Sequence, residues 1–229
     1  MPGATAVRAE WAAGRRPARR DDLVGLPLEV APRLLGGVLQ VHSGGRDVAL
    51  RITEVEAYHG QGTGDMPDPG SHARMGPTAR NATMWREPGL LYVYLSHGIH
   101  TCINVVCSPP GVAGAVLVRA GEVVEGADAA AIRRPAAHTP RDYARGPGRL
   151  AAAVGLRHPV HDGVDAIAGS ELAGATVRLW LTNAQQAGVA SGPRVGVAGV
   201  AGTDAFPWRF WIAGDPTVSS FRWGRGAAP

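Results

Sequence analysis

Two acidic residues, Glu54 and Glu56, lie two positions apart in an apolar segment of the chain. If that segment is a β-strand, both side chains lie on the same face of it. A sheltered carboxylate can act as a general base and activate a water molecule. The same spacing is also typical of a solvated strand face, so spacing alone does not decide between catalysis and surface.

A second group of chemically active side chains, His97, His100, Cys102 and Cys107, has the spacing H-x2-H-x-C-x4-C. This spacing is not typical of a structural zinc site. In a strand, His100 and Cys102 share a face, whereas His97 lies at a turn. A metal-dependent hydrolase that uses His97, His100 and Cys102 stays open as an alternative. The spacing instead favours cysteines buried in the apolar core, and we expect neither a metal nor a cofactor.

Aromatic residues make up only 6% of the chain, yet Tyr58, Trp85, Tyr92 and Tyr94 lie near these segments. Aromatic faces beside arginines can stack a nucleobase, and the arginines can contact phosphates. Arg145-Gly-Pro-Gly-Arg149 begins a predicted helix, whose N-terminus can bind a phosphate, although a capping turn explains the glycines equally well. The candidate phosphate contacts are Arg74, Arg80, Arg86, Arg119, Arg145 and Arg149.

Turn residues and apolar periodicity predict the elements that position these side chains. We expect an α+β fold: a single domain with an antiparallel or mixed curved β-sheet, flanking short helices and a protruding β-hairpin with His97 at its tip. A long polar loop at 59–81 is expected to be functional. Strands are predicted at 38–42, 47–55, 90–95, 99–106, 114–120, 177–181, 193–197 and 208–212, and helices at 28–36, 127–134 and 146–154.

The composition is that of one globular domain, with 229 residues, 45% apolar, 18% charged and a net charge of +4. We predict a flexible basic tail at 1–22 and a folded domain at 23–225. No apolar run is long enough to span a membrane and no signal peptide is recognisable, so a cytoplasmic location is expected. The protein is also expected to be a monomer. All 23 basic residues are Arg, and without Lys no lysine amine can form a Schiff base.

Taken together, these segments resemble the alkyladenine (3-methyladenine) DNA glycosylase family, from about Leu28 to Phe221. The most specific similarity is the strand Glu54-Val-Glu56-Ala-Tyr58, followed by the hairpin that contains Leu-Tyr-Val-Tyr94 and Asn104. The other matching segments include Ser71-His72-Ala-Arg74, Thr78-Ala-Arg80-Asn81, Val116-Leu-Val-Arg119, Gly146-Pro-Gly-Arg149 and Pro193-Arg-Val-Gly196.

The resemblance implies a monofunctional DNA glycosylase that flips alkylated purines out of duplex DNA and leaves an abasic site, with deaminated purines left open. It assigns water activation to Glu56, with Arg119 and the backbone carbonyl of Val195 holding the water. Tyr58, His72 and Tyr94 become the walls around the extruded base, and Asn104 becomes a pocket floor that screens purines. The implied DNA contacts are His97, Arg74, Arg80, Arg145 and Arg149.

One position departs from the family pattern, because His97 stands where the family usually has a Tyr that inserts into the DNA. We expect His97 to keep this role in weakened form. The substitution also leaves an alternative function open, a catalytically impaired DNA-binding protein of the same fold. A bacterial, nucleoid-associated location is expected through DNA binding.

Overall fold

The structure, a computed structural model, describes residues 10–63, 65 and 67–228. Within these residues nine strands form one sheet and three α-helices flank it. The helices are α1 (Pro27–Leu34), α2 (Ala127–Arg133) and α3 (Pro147–Val154). The strands are β1 (Arg15–Pro17), β2 (Val38–Ser43), β3 (Arg46–His59), β4 (Leu91–Ser96), β5 (His100–Val106), β6 (Gly114–Glu125), β7 (Ala175–Thr182), β8 (Val189–Gly192) and β9 (Arg209–Ile212).

The strand order is β1-β7-β2-β3-β6-β5-β4, and β9 joins the sheet by pairing with both β3 and β8. Every strand pairing in the described chain is antiparallel. With its few short helices this is the α+β single-domain fold that the sequence predicts. In that part of the chain no helix is long and apolar enough to cross a membrane.

Strand β3 is the element that organises the site, because it is 14 residues long and pairs with β2, β6 and β9. Val55 and Ala57 belong to the main hydrophobic core, so the alternating Glu54 and Glu56 belong to the opposite face. The register with β6 shifts on both sides of Glu54. Such β-bulges redirect side chains and are frequent beside functional sites.

The helices cover the core face of the sheet. Helix α1 buries Val30 and Leu34, and α3 buries Leu150 and Val154. Helix α3 packs on β5 and β6, and a Cβ at Gly148 would lie 3.0 Å from the Cβ of His100. The close approach at this glycine places the first turn of α3 beside the tip end of the β4–β5 hairpin, where His100 pairs with Ser96.

Two sequence predictions differ from the structure. The tail predicted at 1–22 is structured from residue 10 onward: Arg15–Pro17 pair with β7, and Trp11 is buried with its Nε1 donating to Glu125. Residues 1–9 lie outside the described residues. The strand predicted at 193–197 is a turn, and the strand in this region is β8, which ends at Gly192.

Candidate active site

Glu56 lies at the bottom of a surface groove and is fully buried. Its Oε1 accepts a hydrogen bond of 2.7 Å from the backbone N–H of Val195 and lies 3.3 Å from Nη1 of Arg119. Its Oε2 accepts a hydrogen bond of 2.8 Å from the hydroxyl of Tyr58. The residues expected to act together, Glu56, Arg119, Val195 and Tyr58, are therefore adjacent in space.

The atom of Val195 that contacts Glu56 is its N–H. The resemblance implied a role for the backbone carbonyl of this residue in holding water, and that role stays a prediction. The N–H of Val195 and the guanidinium of Arg119 both face Oε1, whereas Oε2 accepts from Tyr58, so Oε2 is the more available oxygen.

Glu54 is also fully buried but does not line the groove. Its Oε1 accepts hydrogen bonds from Nε of Arg119 at 3.1 Å, from Nε of Arg209 at 2.6 Å and from Oγ of Ser219 at 3.0 Å. Its Oε2 accepts from the Ser219 N–H at 2.8 Å. Since both oxygens are held by protein groups, Glu54 acts as an anchor for Arg119 and Arg209.

Arg119 bridges the two carboxylates. Burial opposes its positive charge, but Glu56 and Glu54 raise the pKa of Arg119 above its ordinary value. A permanently charged guanidinium thus faces Glu56 from β6, and Glu54 fixes its position.

Aromatic side chains border the groove above Glu56. The His72 and Tyr94 rings meet edge to face at a centroid distance of 4.7 Å, and Tyr92 stacks on Tyr94 at 5.3 Å. Asn104 is buried in the same lining, and its Nδ2 donates to the Tyr92 carbonyl at 3.0 Å. The predicted base-pocket residues Tyr58, His72, Tyr94 and Asn104 therefore share one lining.

Burial shifts the pKa values of the aromatic side chains in this lining, and the shifts of His72 and Tyr58 bear on the chemistry. Burial, together with the charges of Arg80 and Arg74, lowers the pKa of His72 to about 4, so its imidazole is neutral at pH 7. Burial and the negative charge of Glu56 raise the pKa of Tyr58 well above its ordinary value, so its hydroxyl keeps the proton that it donates to Glu56.

The groove, with the pocket included, has a volume of about 2060 Å³ and continues beyond the pocket along a basic surface. Among the described residues that line it, Glu56 is the single acidic side chain. Nine arginines line the groove: Arg46, Arg80, Arg119, Arg133, Arg134, Arg145, Arg149, Arg157 and Arg222. An anionic ligand is strongly favoured by such a surface.

The predicted DNA contacts are distributed unevenly along this surface. His97 is exposed at the hairpin tip with a φ of 50°, and Arg149 is exposed in the first turn of α3. Arg145 lines the groove and donates to the Val218 carbonyl at 2.9 Å. Arg80 lies 5.9 Å from the Tyr94 ring centre. Arg74 is exposed but does not line the groove.

The metal alternative has no geometric support in the described chain, where no three His, Cys, Asp or Glu side chains could hold an ion together. His97 and His100 are exposed at the hairpin end, whereas Cys102 is buried opposite Tyr94 in the β4–β5 register. Burial raises the pKa of the Cys102 thiol, which disfavours the thiolate that a metal would need.

Sequence reasoning missed four residues that support the site: Asp68, Arg194, Arg209 and Ser219. Arg194 and Asp68 form a buried ion pair at 2.7 Å, and Arg209 and Ser219 hold Glu54. The Pro-Arg-Val-Gly segment did single out the position of Arg194, but basic residues in an arginine-rich chain are usually expected at the surface. The fold brings these groups together across sequence separations of more than 100 residues.

The fold and the site define an α+β protein in which a buried carboxylate lies at the bottom of an aromatic-walled, arginine-lined groove. Comparison with known proteins agrees with this arrangement. Residues 23–216 match the family model of methylpurine-DNA glycosylase. The chain belongs to the methylpurine-DNA glycosylase family.

Similar bacterial proteins carry the provisional name 3-methyladenine DNA glycosylase. The relative from Leifsonia xyli is 50% identical over 207 residues, which cover 89% of this chain and 92% of the relative. The relative from Nocardia farcinica is 48% identical over 205 residues, which cover 88% of this chain and 90% of the relative. The relative from Streptomyces avermitilis is 46% identical over 208 residues, which cover 91% of this chain and 93% of the relative.

Proposed function

We propose that this protein is a monofunctional DNA glycosylase that removes alkylated purines from duplex DNA by hydrolysis of the N-glycosidic bond. The observation that carries the proposal is the position of Glu56, a buried carboxylate oriented by Val195, Arg119 and Tyr58 at the bottom of a basic groove. The family membership supports the same reaction class.

Glu56 has room for one further polar partner. An ionised carboxylate offers about four lone-pair sites. Oε1 faces Val195 and Arg119, and among the residues that the structure describes Oε2 accepts only from Tyr58. The negative charge of Glu56 would stabilise the oxocarbenium-like transition state as the bond between the sugar carbon and the purine nitrogen breaks and the purine leaves with the bonding electron pair. A water bound at the remaining site of Oε2 would attack the sugar carbon and pass a proton to Glu56.

The pocket walls suit an electron-poor base. Purines methylated at N3 or N7 carry a positive charge, which aromatic faces attract. Tyr58 and Tyr94 supply such faces, and His72 adds no competing charge because its pKa is about 4. A cationic base is also a good leaving group, so one general base suffices. A damaged base is less costly to extrude than a paired one.

Deaminated purines such as hypoxanthine are neutral, so they require protonation before they leave. The sequence offers no assured acid for that protonation.

The partner is double-stranded DNA that contains a damaged purine. Arg80, Arg145 and Arg149 are proposed to contact phosphates, and His97 to fill the space that the extruded nucleotide leaves. Arg74 is proposed as a peripheral phosphate contact. The protein would act as a monomer in the bacterial cytoplasm, associated with the nucleoid through DNA.

The decisive experiment measures base release under single-turnover conditions from duplexes with one 7-methylguanine, 3-methyladenine or hypoxanthine. Release of a methylated base, with an abasic site in the DNA, is the expected result. Specific binding to the same duplexes without any release would support the second candidate, a catalytically impaired DNA-binding protein. The departure at His97 is the observation that favours this alternative.

A further inference from the structure

An ion pair between Arg194 and Asp68 lies behind the base pocket and outside its lining. Arg194 is fully buried and Asp68 is 2% exposed. Nη2 of Arg194 donates to Oδ1 at 2.7 Å and Nη1 to Oδ2 at 2.8 Å, which makes the pair bidentate. Further bonds to the carbonyls of Ala57 at 3.0 Å and Ala201 at 3.1 Å hold the guanidinium. Four hydrogen bonds thus fix its position and plane.

Two contacts of Glu56 depend on Arg194. Val195 is the next residue in the chain, and its N–H donates to Oε1. The guanidinium carbon of Arg194 lies 4.5 Å from the centre of the Tyr58 ring, whose hydroxyl donates to Oε2. Trp208 lies on the guanidinium as well, at 5.0 Å. A shift of Arg194 would therefore displace donors to both oxygens of Glu56.

Asp68 connects the same pair to the long loop. Its Oδ2 accepts from the His59 N–H at 3.1 Å and its Oδ1 from the Gly70 N–H at 2.9 Å. His72, on the pocket wall, lies two residues after Gly70. A Cβ at Gly70 would lie only 2.8 Å from Nη2 of Arg194, so the backbone of the loop approaches the guanidinium directly.

We propose that the Arg194–Asp68 pair is a positioning pair that aligns the Tyr58 and His72 walls with Glu56 for base excision. Neither side chain lines the groove, so neither touches the substrate. Catalytic geometry must be held within about 0.5 Å, and a shift of about 1 Å lowers rates by about 100-fold. The proposal rests on the glycosylase function proposed above.

The test replaces Arg194 by Lys, which keeps the charge but loses the planar fork that binds Asp68 and the two carbonyls. Arg51→Lys is the control, because Arg51 likewise forms ion pairs with carboxylates, here Glu122 and Asp215, but lies outside the groove. We expect Arg194→Lys to lower single-turnover release of 7-methylguanine by about 10–100-fold, with unchanged binding to undamaged duplex. Arg51→Lys is expected to release base at the wild-type rate.

A purely stabilising ion pair could also lower the rate, so the substitution is repeated in a Tyr58→Phe background. If Arg194 acts through the Tyr58–Glu56 hydrogen bond, Arg194→Lys lowers the rate of base release by a smaller factor when Tyr58→Phe has already removed that bond. Equal fold-losses in both backgrounds, or a wild-type rate for Arg194→Lys, would overturn the proposal.

Gly70→Ala provides a milder variant if Arg194→Lys does not fold. Its methyl group would displace the end of Arg194 without removing a charge. We expect a lower rate with intact binding to undamaged duplex, and an unchanged rate would refute the positioning role. A wild-type protein that releases no base would instead contradict the proposed function, so the two failures are distinguishable.

Discussion

The hydroxyl of Tyr58 donates a hydrogen bond of 2.8 Å to Oε2 of Glu56, two residues earlier on the same strand. The side chain that forms one wall of the pocket is therefore also a ligand of the carboxylate beneath it. Since Oε1 faces Val195 and Arg119, Tyr58 occupies one lone pair of Oε2 and would leave the other for water in the proposed mechanism. That mechanism would couple base recognition and water activation through one residue.

Glu56→Gln is expected to lower base release by about 10²–10⁴-fold, because an amide cannot take the proton of water. Binding to lesion duplex should persist, since the shape of the side chain is preserved. The measurement pairs single-turnover release with equilibrium binding. Loss of binding together with release would show that Glu56 has a structural role instead.

Glu54→Gln is the informative comparison, and its main effect is expected on stability. The amide leaves Arg119 and Arg209 without their shared carboxylate, which should lower the free energy of unfolding by about 3 kcal/mol. Urea denaturation measures this change. Base release should fall far less than in Glu56→Gln. Equal losses of release in the two variants would show that Glu56 was wrongly chosen as the general base, or that the two acids act together.

The two acids illustrate what the sequence could and could not predict. Spacing placed Glu54 and Glu56 on one face of a strand, and the resemblance singled out Glu56. The anchoring role of Glu54 was not predictable, because Arg209 and Ser219 are supplied by segments more than 150 residues away. Strands with strong apolar runs, such as β3 and β6, were predicted from local pattern alone, although both are longer than expected.

The errors have the same physical origin. Arg15–Pro17 carry no apolar periodicity and form a strand because the edge of β7 pairs with them. Residues 193–197 look like a strand, yet Arg194 and Val195 turn toward Asp68 and Glu56. In both segments tertiary contacts override local propensity.

His72 gives a pH dependence with a definite sign. Its pKa is lowered from 6.5 to about 4, so it stays neutral as the pH falls through 6.5 and gains a proton only near pH 4. The unfolded chain binds this proton first, so the contribution of His72 to stability is lost as the pH falls from about 6.5 toward 4. The rate of release of cationic 7-methylguanine, measured as a function of pH, should show no inflection near pH 6.5 that arises from His72. NMR titration of His72 checks the assignment, and a midpoint near 6.5 would contradict it.

His97 is predicted to fill the gap left by the extruded nucleotide. His97→Ala should weaken binding to lesion duplex by about 1–3 kcal/mol, the range of one stacking contact. His97→Tyr should match or exceed the wild type. Because His97 has a φ of 50°, His97→Asn is the control that tolerates the same backbone without an aromatic ring. Unchanged lesion binding in His97→Ala would mean that the hairpin tip does not reach the DNA.

The final prediction is that the protein stops at an abasic site and does not cut the DNA strand. Strand cleavage by a glycosylase requires an amine that forms a Schiff base with the opened sugar. The chain contains no Lys. The remaining candidate is the N-terminal amine of the protein.

The test incubates the protein with lesion duplex and borohydride, and then compares DNA strands on a gel before and after alkali. We expect no trapped adduct, and strand breaks only after alkali, because hydrolysis directed by Glu56 leaves an intact abasic strand. Protein whose N-terminal amine has been acetylated is the control. An adduct or a nicked strand without alkali would contradict the prediction, and its disappearance in the acetylated protein would assign the reaction to the N-terminal amine.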